Sequence, residues 1–265
     1  MSGKRDLLIG FAYGYTYDRI ALWVNSICDS GFSGVKMLGS YNLPNDTKRY
    51  AIDHGFDVIE LGPVRRAIVI DRFEDLNKML IDANFDRVIT TDVSDVVFMS
   101  NPSEKLDKLM VDCSILASPE YITFANQDWN YQNITQSFGQ SVAGIMANKV
   151  VCNAGVIAGE QEAIANISRE IHYLSSQTSN LQSDQSAYNI LLASYGDEVK
   201  YATMDEAWAA QLGVYLHAPS RVNLQAQYRI GSDGVVRNEG RKEFCIVHQY
   251  NRDPNLTKAM KEKFQ

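Results

Sequence analysis

The sequence predicts an α/β fold, a mostly parallel central sheet flanked by helices, and three observations carry that expectation. Short apolar runs alternate with amphipathic stretches through the first half of the chain, as in βαβ units joined by right-handed crossovers. The 265 residues are 45% hydrophobic and 22% charged, enough apolar material for a full core without disulfides. No internal repeat, low-complexity tract or Pro/Ser-rich linker interrupts the chain, so one domain over residues 1–265 is the simplest account.

Asp6–Ala12 reads as the first strand. Tyr17–Ser30 carries Ile20, Val24, Ile27 and Cys28 at helical spacing, with Gly31 as a stop. Gly34–Leu38 is a second strand, Asp46–His54 a helix closed by Gly55, and Phe56–Leu61 a third strand. Ala67–Ala83 is a longer helix whose apolar face is Ile70, Phe73, Leu76, Leu80 and Ile81. Arg87–Thr91 and Ser114–Ala117 complete the strands of this half. Residues 118–150, rich in Asn, Gln, Tyr, Ser and Phe, have weak periodicity and read as a long functional loop. Ala154–Ala158 is a short strand, and Gln161–Ser175 and Asp184–Ser194 are helices. Thr203 and Glu206 form a capping box opening a short helix. Glu243–Tyr250 is a late strand, and the basic tail from Lys258 is a terminal helix.

A net charge of −7 argues against a nucleic-acid or anionic-membrane partner, whose footprint would be basic. A nucleotide ligand remains compatible with it, because a bound divalent cation can supply the missing positive charge. Cys28, Cys113, Cys152 and Cys245 form no CxxC pair, and Cys113 and Cys245 lie in strand-like runs; all four are expected to be reduced, in a cytoplasmic protein. No signal peptide and no transmembrane-length apolar stretch are legible.

The segment Val88-Ile-Thr-Thr-Asp92-Val-Ser-Asp95-Val-Val-Phe98 is the most informative. An apolar strand runs into two carboxylates and then into another apolar run. Residues three apart on a flat strand face opposite sides, so the strand must end near Asp92 for both acids to serve one site. Carboxylates converging at the carboxyl end of a strand suit Mg²⁺ or Mn²⁺, whereas the bland alternative makes Asp92 a strand cap and Asp95 a turn residue. In such sheets the ligand sits beyond the carboxyl ends of the strands.

Here the sequence resembles the GT-A glycosyltransferases, which carry a short acidic "DxD" signature after the fourth strand. Asp92-Val-Ser-Asp95 is similar to a one-residue-longer variant of it. Three further segments match in order: Asn153-Ala-Gly155 resembles the family's "N-x-G" strand, Asp184-Gln185 with Asn189 its "DQ…N" helix start, and Val247-His248 the late segment whose His completes the metal site. The resemblance covers nearly the whole chain. It implies a Rossmann-like GT-A domain with a nucleotide-binding half over about 1–117 and an acceptor and catalytic half over about 118–265. It also implies a nucleotide-diphosphate sugar donor (UDP-linked), a carbohydrate acceptor and a Mn²⁺ or Mg²⁺ cofactor.

Under that resemblance Asp95 and His248 ligate the metal, and Asp92 ligates it or holds a bound water and the ribose. On periodicity alone His248, alternating with Phe244 and Ile246, would be a half-buried structural histidine. Asp184 grips the donor sugar and Gln185 lies near the anomeric centre, their plain alternative being a helix N-terminus. Phe11, Ala12 and Tyr13 follow the first strand, where the base and ribose bind, and Tyr13 or Tyr15 offers a stacking ring. Arg72 is either a diphosphate contact or an exposed arginine beside Asp71 and Glu74; Arg65 and Arg66 read as solvated loop charges. Asn153 and Gly155 border the donor sugar. A general base, needed only by an inverting enzyme, would be Asp128 or Glu160. A sugar nucleotidyltransferase is the enzymatic rival, but Phe11–Tyr17 lacks the basic Gly-rich loop it would need. A binding module without turnover is the other. In the central segment Tyr121, Phe124, Trp129, Tyr131 and Phe138 are expected to face an acceptor, with a small core beneath the loop as the alternative for Phe124 and Phe138, and Trp129 the exposed one.

Overall fold

A computed structural model describes residues 5–217 and 228–265. Strand β1 (Asp6–Tyr13) is buried along all but its last residue, as the near-continuous apolar run of a parallel strand requires. It is followed by α1 (Tyr17–Asp29), β2 (Val35–Tyr41), α2 (Asn45–Asp53), β3 (Asp57–Glu60), α3 (Ile68–Leu80) and β4 (Arg87–Thr91). The alternation expected for this half is present throughout, with bounds shifted by a few residues at most. Beyond it come β5 (Val96–Phe98), α4 (Pro102–Leu109), β6 (Ile115–Ala117), β7 (Pro119–Thr123), α5 (Asp128–Phe138), α6 (Gln140–Met146), β8 (Val150–Cys152), β9 (Val156–Glu160) and α7 (Gln161–Ser176). The remainder is α8 (Asp184–Tyr195), β10 (Val199–Tyr201), β11 (Ala209–Gln211), α9 (Leu212–His217), β12 (Arg229–Ile230), β13 (Val236–Arg237), β14 (Ile246–His248) and α10 (Pro254–Phe264).

Seven strands form the main sheet in the order β10-β6-β9-β4-β1-β2-β3, all parallel except β9. Helices cover both faces. Ile20, Trp23, Val24 and Ile27 of α1 pack with Leu8 and Ile89 on one side; Phe73 and Leu76 of α3 and Ile164 and Ile167 of α7 pack with Leu7, Ile9 and Val88 on the other. Consecutive residues of β1 and β4 thus serve opposite layers, the period-two rule of a strand. Full burial of each such side chain contributes about 1.5–3 kcal/mol. At the amino end of the sheet Arg87 donates to both carboxylate oxygens of buried Asp6, at 2.9 and 2.6 Å.

A second sheet, β11-β14-β5, lies beside the first, with β14 parallel to β11 and antiparallel to β5. Helix α10 packs beneath it through Leu256, Met260 and Phe264.

Three features differ from what the sequence predicts. Residues 118–150 are not a long loop but β7, a 3-10 turn (Phe124–Asn126), α5, α6 and the start of β8. Phe124 and Ile134 are buried there with Ile122, Met146 and Val151, and Tyr131 and Phe138 pack against them, so a small core of their own sits under this segment. Arg65 and Arg66 are not freely solvated: Arg65 pairs with Glu74 and Asp75, Arg66 donates to the Ser176 carbonyl, and buried Asp71 accepts from both backbone N–H groups. Cys113 lies in the turn before β6 rather than in a strand. The Thr203–Glu206 capping box is present and opens a 3-10 turn. All four cysteines are free thiols, and no described helix is long and apolar enough to cross a membrane.

Candidate active site

Strand β4 stops at Thr91, and the backbone bends through Val93–Asp95 before β5 begins. The bend is fixed on both sides: Asp92 N–H donates to Gly155 O at 2.9 Å, and Gln249 N–H donates to Asp95 O at 2.7 Å. Val93 points into the core and packs against the bare face of Gly10, where a Cβ would lie 2.4 Å from Val93 Cγ2. The turn required by the spacing of the two acids is therefore present.

It brings Asp92 and Asp95 together with His248, the last residue of β14. Their ligand atoms all lie within 4.8 Å of one another, with His248 Nε2 3.5 Å from Asp92 and 3.6 Å from Asp95. Mg²⁺ sits about 2.0–2.1 Å from its ligands, so a set this close suits one small divalent cation. The buried His248 Nε2 has no hydrogen-bond partner. An orphaned nitrogen facing two carboxylates is costly unless something else uses its lone pair, and the donor set fits a hard or borderline cation. Burial opposes ionisation of Asp92, but Arg72 and His248 hold its carboxyl well below the usual range. Burial, with Asp92 alongside, pushes Asp95 up against the pull of His248. Burial would lower the His248 imidazole, yet Asp95 and Asp92 hold it above its ordinary value.

Gly155 forms the floor beside this triad. A Cβ there would lie 2.4 Å from His248 Cε1, 2.8 Å from Asp92 Oδ2 and 2.9 Å from Asn153 Oδ1, so only glycine lets these groups approach the backbone so closely. Asn153 Oδ1 accepts from Gly155 N at 2.7 Å and holds the loop in shape.

Arg72 is neither exposed nor solvated. Its guanidinium is buried and donates to Asp92, to Ala154 O at 3.2 Å and to Asp184 Oδ2 at 3.5 Å. It links Asp92 to Asp184, the acid that opens α8. Asp184 is buried, and burial pushes its carboxyl up to about 6 against the pull of Arg72. Gln185 accepts from Ala154 N at 3.3 Å and donates to Asn130 Oδ1 at 2.7 Å. Asn189, one turn later, clasps both backbone groups of Cys152 at 2.8 and 2.7 Å, fixing α8 against β8.

Glu120 of β7 escaped the sequence reading. It is buried, and its carboxylate accepts from Asn153 Nδ2 at 2.8 Å, Asn130 Nδ2 at 3.3 Å and Gln185 Nε2 at 3.4 Å. Burial raises its pKa. The sequence signal was faint: Glu120 sits inside a short strand opened by Pro119, two residues beyond the apolar run of β6.

At the carboxyl end of β1, Phe11 and Ala12 are buried and Tyr13 is 51% exposed. Tyr15 packs against the core with the Arg19 guanidinium over its ring, leaving Tyr13 as the free aromatic face. Asp128 is exposed at the start of α5, two residues from Asn130. Glu160 is not brought to the site. Because β9 runs antiparallel to β4, Val156 pairs with Thr91 while Glu160 pairs with Arg87, four residues and about 13 Å away at the far end of the sheet.

This sheet, reversed at one strand and carrying its acids beyond β4, is a glycosyltransferase fold of the GT-A type. The solved galactosyltransferase LgtC, in complex with donor and acceptor sugar analogs, matches 97% of this chain and 95% of its own with a TM-score of 0.60. At 13% identity the likeness is one of fold. No protein-family model and no curated protein matches the chain.

Proposed function

We propose that the chain is a metal-dependent glycosyltransferase that moves a sugar from a nucleotide-diphosphate donor, UDP-linked, to a hydroxyl of a carbohydrate acceptor. The observation that carries this reading is the meeting of Asp92, Asp95 and His248 at the carboxyl end of the sheet, packed closely against Gly155. Asp92, Asp95 and His248 would hold Mn²⁺ or Mg²⁺, which would supply Lewis-acid stabilisation for the departing diphosphate. Tyr13 offers its exposed face to the base, and Ala12 brings backbone close to the ribose. Arg72 keeps Asp92 ionised for its ligand role and orients Asp184 toward the donor hydroxyls. Gln185, fixed by Asn130, Glu120 and Ala154, sits on the sugar side of the same loop, and Asp128 is the exposed carboxylate beside that cluster.

Incubating the chain with UDP-sugars and Mn²⁺, without acceptor, should release UDP by slow hydrolysis, and EDTA should stop it. Release of pyrophosphate from UTP and a sugar 1-phosphate, with no UDP from the sugar nucleotides, would instead identify a nucleotidyltransferase. Binding with no release from any donor, with or without acceptor, would identify a module without turnover.

A further inference from the structure

We infer that Gln211 is a positioning residue of the metal centre: it holds the His248 proton on Nδ1 and so presents the Nε2 lone pair to the space between Asp92 and Asp95. The inference rests on the metal-dependent reading above. Gln211 ends β11 and is the register partner of His248 in the parallel pair β11–β14, so the two side chains stand on one face of the sheet. His248 Nδ1 lies 2.7 Å from Gln211 Oε1. An amide oxygen only accepts, so Nδ1 carries the proton, and in the neutral ring Nε2 is then the free base.

Both residues are 1% exposed, which leaves no water to replace the bond. An imidazole without this partner has two tautomers and two ring orientations, and only one combination aims a lone pair at the acids. The surrounding backbone is clamped as well. Gln211 N–H donates to the Tyr228 hydroxyl at 3.3 Å, and Gln249 accepts from Gly213 N–H at 2.7 Å while its own N–H holds Asp95 O. Outer partners of this kind set metal affinity by about 10–100-fold.

The test is Mn²⁺ affinity of the full chain by calorimetry, alongside thermal melting, for wild type, Gln211→Met and Gln211→Glu. Methionine keeps the volume and loses the acceptor; glutamate keeps an acceptor toward Nδ1. The expected result is a loss of about 10–100-fold for Gln211→Met and near-wild-type affinity for Gln211→Glu. Wild-type affinity in Gln211→Met overturns the inference and leaves the metal reading standing. Equal weakening in both variants, tracking a lower melting temperature, also overturns it by making Gln211 a packing residue. A wild-type chain that binds no Mn²⁺ overturns the inference together with the reading beneath it.

Discussion

Arg72 and Asp92 form an ion pair at the heart of the site, and the second guanidinium nitrogen of Arg72 reaches Asp184, 3.5 Å away. One buried cation thus serves both Asp92, beside His248, and Asp184, at the start of α8. Removing one partner of a fully buried pair costs about 3–5 kcal/mol. Asp92 is 36% exposed, so Arg72→Met should cost less, about 1–3 kcal/mol in denaturant unfolding. Mn²⁺ affinity should fall with it. Unchanged stability and unchanged affinity would show that the pair organises nothing.

Gly155→Ala should damage the metal centre more than the fold. Its methyl would enter within 2.4 Å of His248 and 2.8 Å of Asp92, and overpacking of that kind costs about 1–3 kcal/mol. Calorimetry should find at least a tenfold weaker Mn²⁺ site in a chain that still melts cooperatively. Wild-type affinity would mean that the ligands can shift aside.

Asp184 gives the site a pH dependence. Its folded pKa of about 6 lies above the value near 3.9 of a free aspartate, so the folded chain binds this proton more tightly than the unfolded one. Through this group stability rises as pH falls from 7 towards 4, by on the order of 3 kcal/mol, while transfer requiring the carboxylate is lost below about pH 6. Asp184→Asn should be nearly inactive yet no less stable than wild type at pH 7. A variant that melts well below wild type at that pH would contradict the assignment.

Glu120→Gln should separate chemistry from metal binding. The carboxylate is the shared acceptor for Asn130, Asn153 and Gln185, so its loss misplaces Gln185 while the hydrogen bonds that hold Asp95 and His248 stay in place. Turnover should fall at least tenfold, about 1.4 kcal/mol of barrier, with Mn²⁺ and UDP affinities unchanged. Near-normal turnover would make Glu120 a bystander.

Trp129 is 48% exposed on the first turn of α5, beside the Asn130 that holds Gln185. Its ring is free to pack on the apolar face of an acceptor sugar. Trp129→Ala should raise the acceptor KM severalfold and leave donor hydrolysis unaltered. Loss of donor binding instead would place the acceptor elsewhere.

The reach of the sequence can be judged residue by residue. Leu7–Ile9 and Val88–Thr91 declared themselves because both faces of a central strand are buried, leaving an unbroken apolar run. Asp92 and Asp95 stood out against that run, and their spacing required the bend that is found. Helix α5 was hidden for the opposite reason: Asn130 and Asn133 are buried alongside Ile134, so its inward face is largely polar and hydrophobic periodicity fails. Those amides are buried to bond Gln185, Ser186 and the Gln182 carbonyl, partners far along the chain. Glu160 was put at the site because strand direction is not a local property. Only the pairing of β9 with β4 decides which end of the strand meets Asp92.

The placement of β14 between β11 and β5 has a consequence for how the chain matures. A ribosome that has delivered everything through Tyr201 has already supplied all seven strands of the main sheet, with Asp92, Asp95 and Asp184. At that moment Asp92 has Arg72 as its counter-charge, but Asp95 awaits its imidazole and the apolar edge Val96–Phe98 awaits the strand that will cover it. The nascent protein therefore passes through an interval in which the main sheet has all its strands but the edge Val96–Phe98 is open and Asp95 lacks His248. The later emergence of Ile246–His248 closes both gaps in a single docking event.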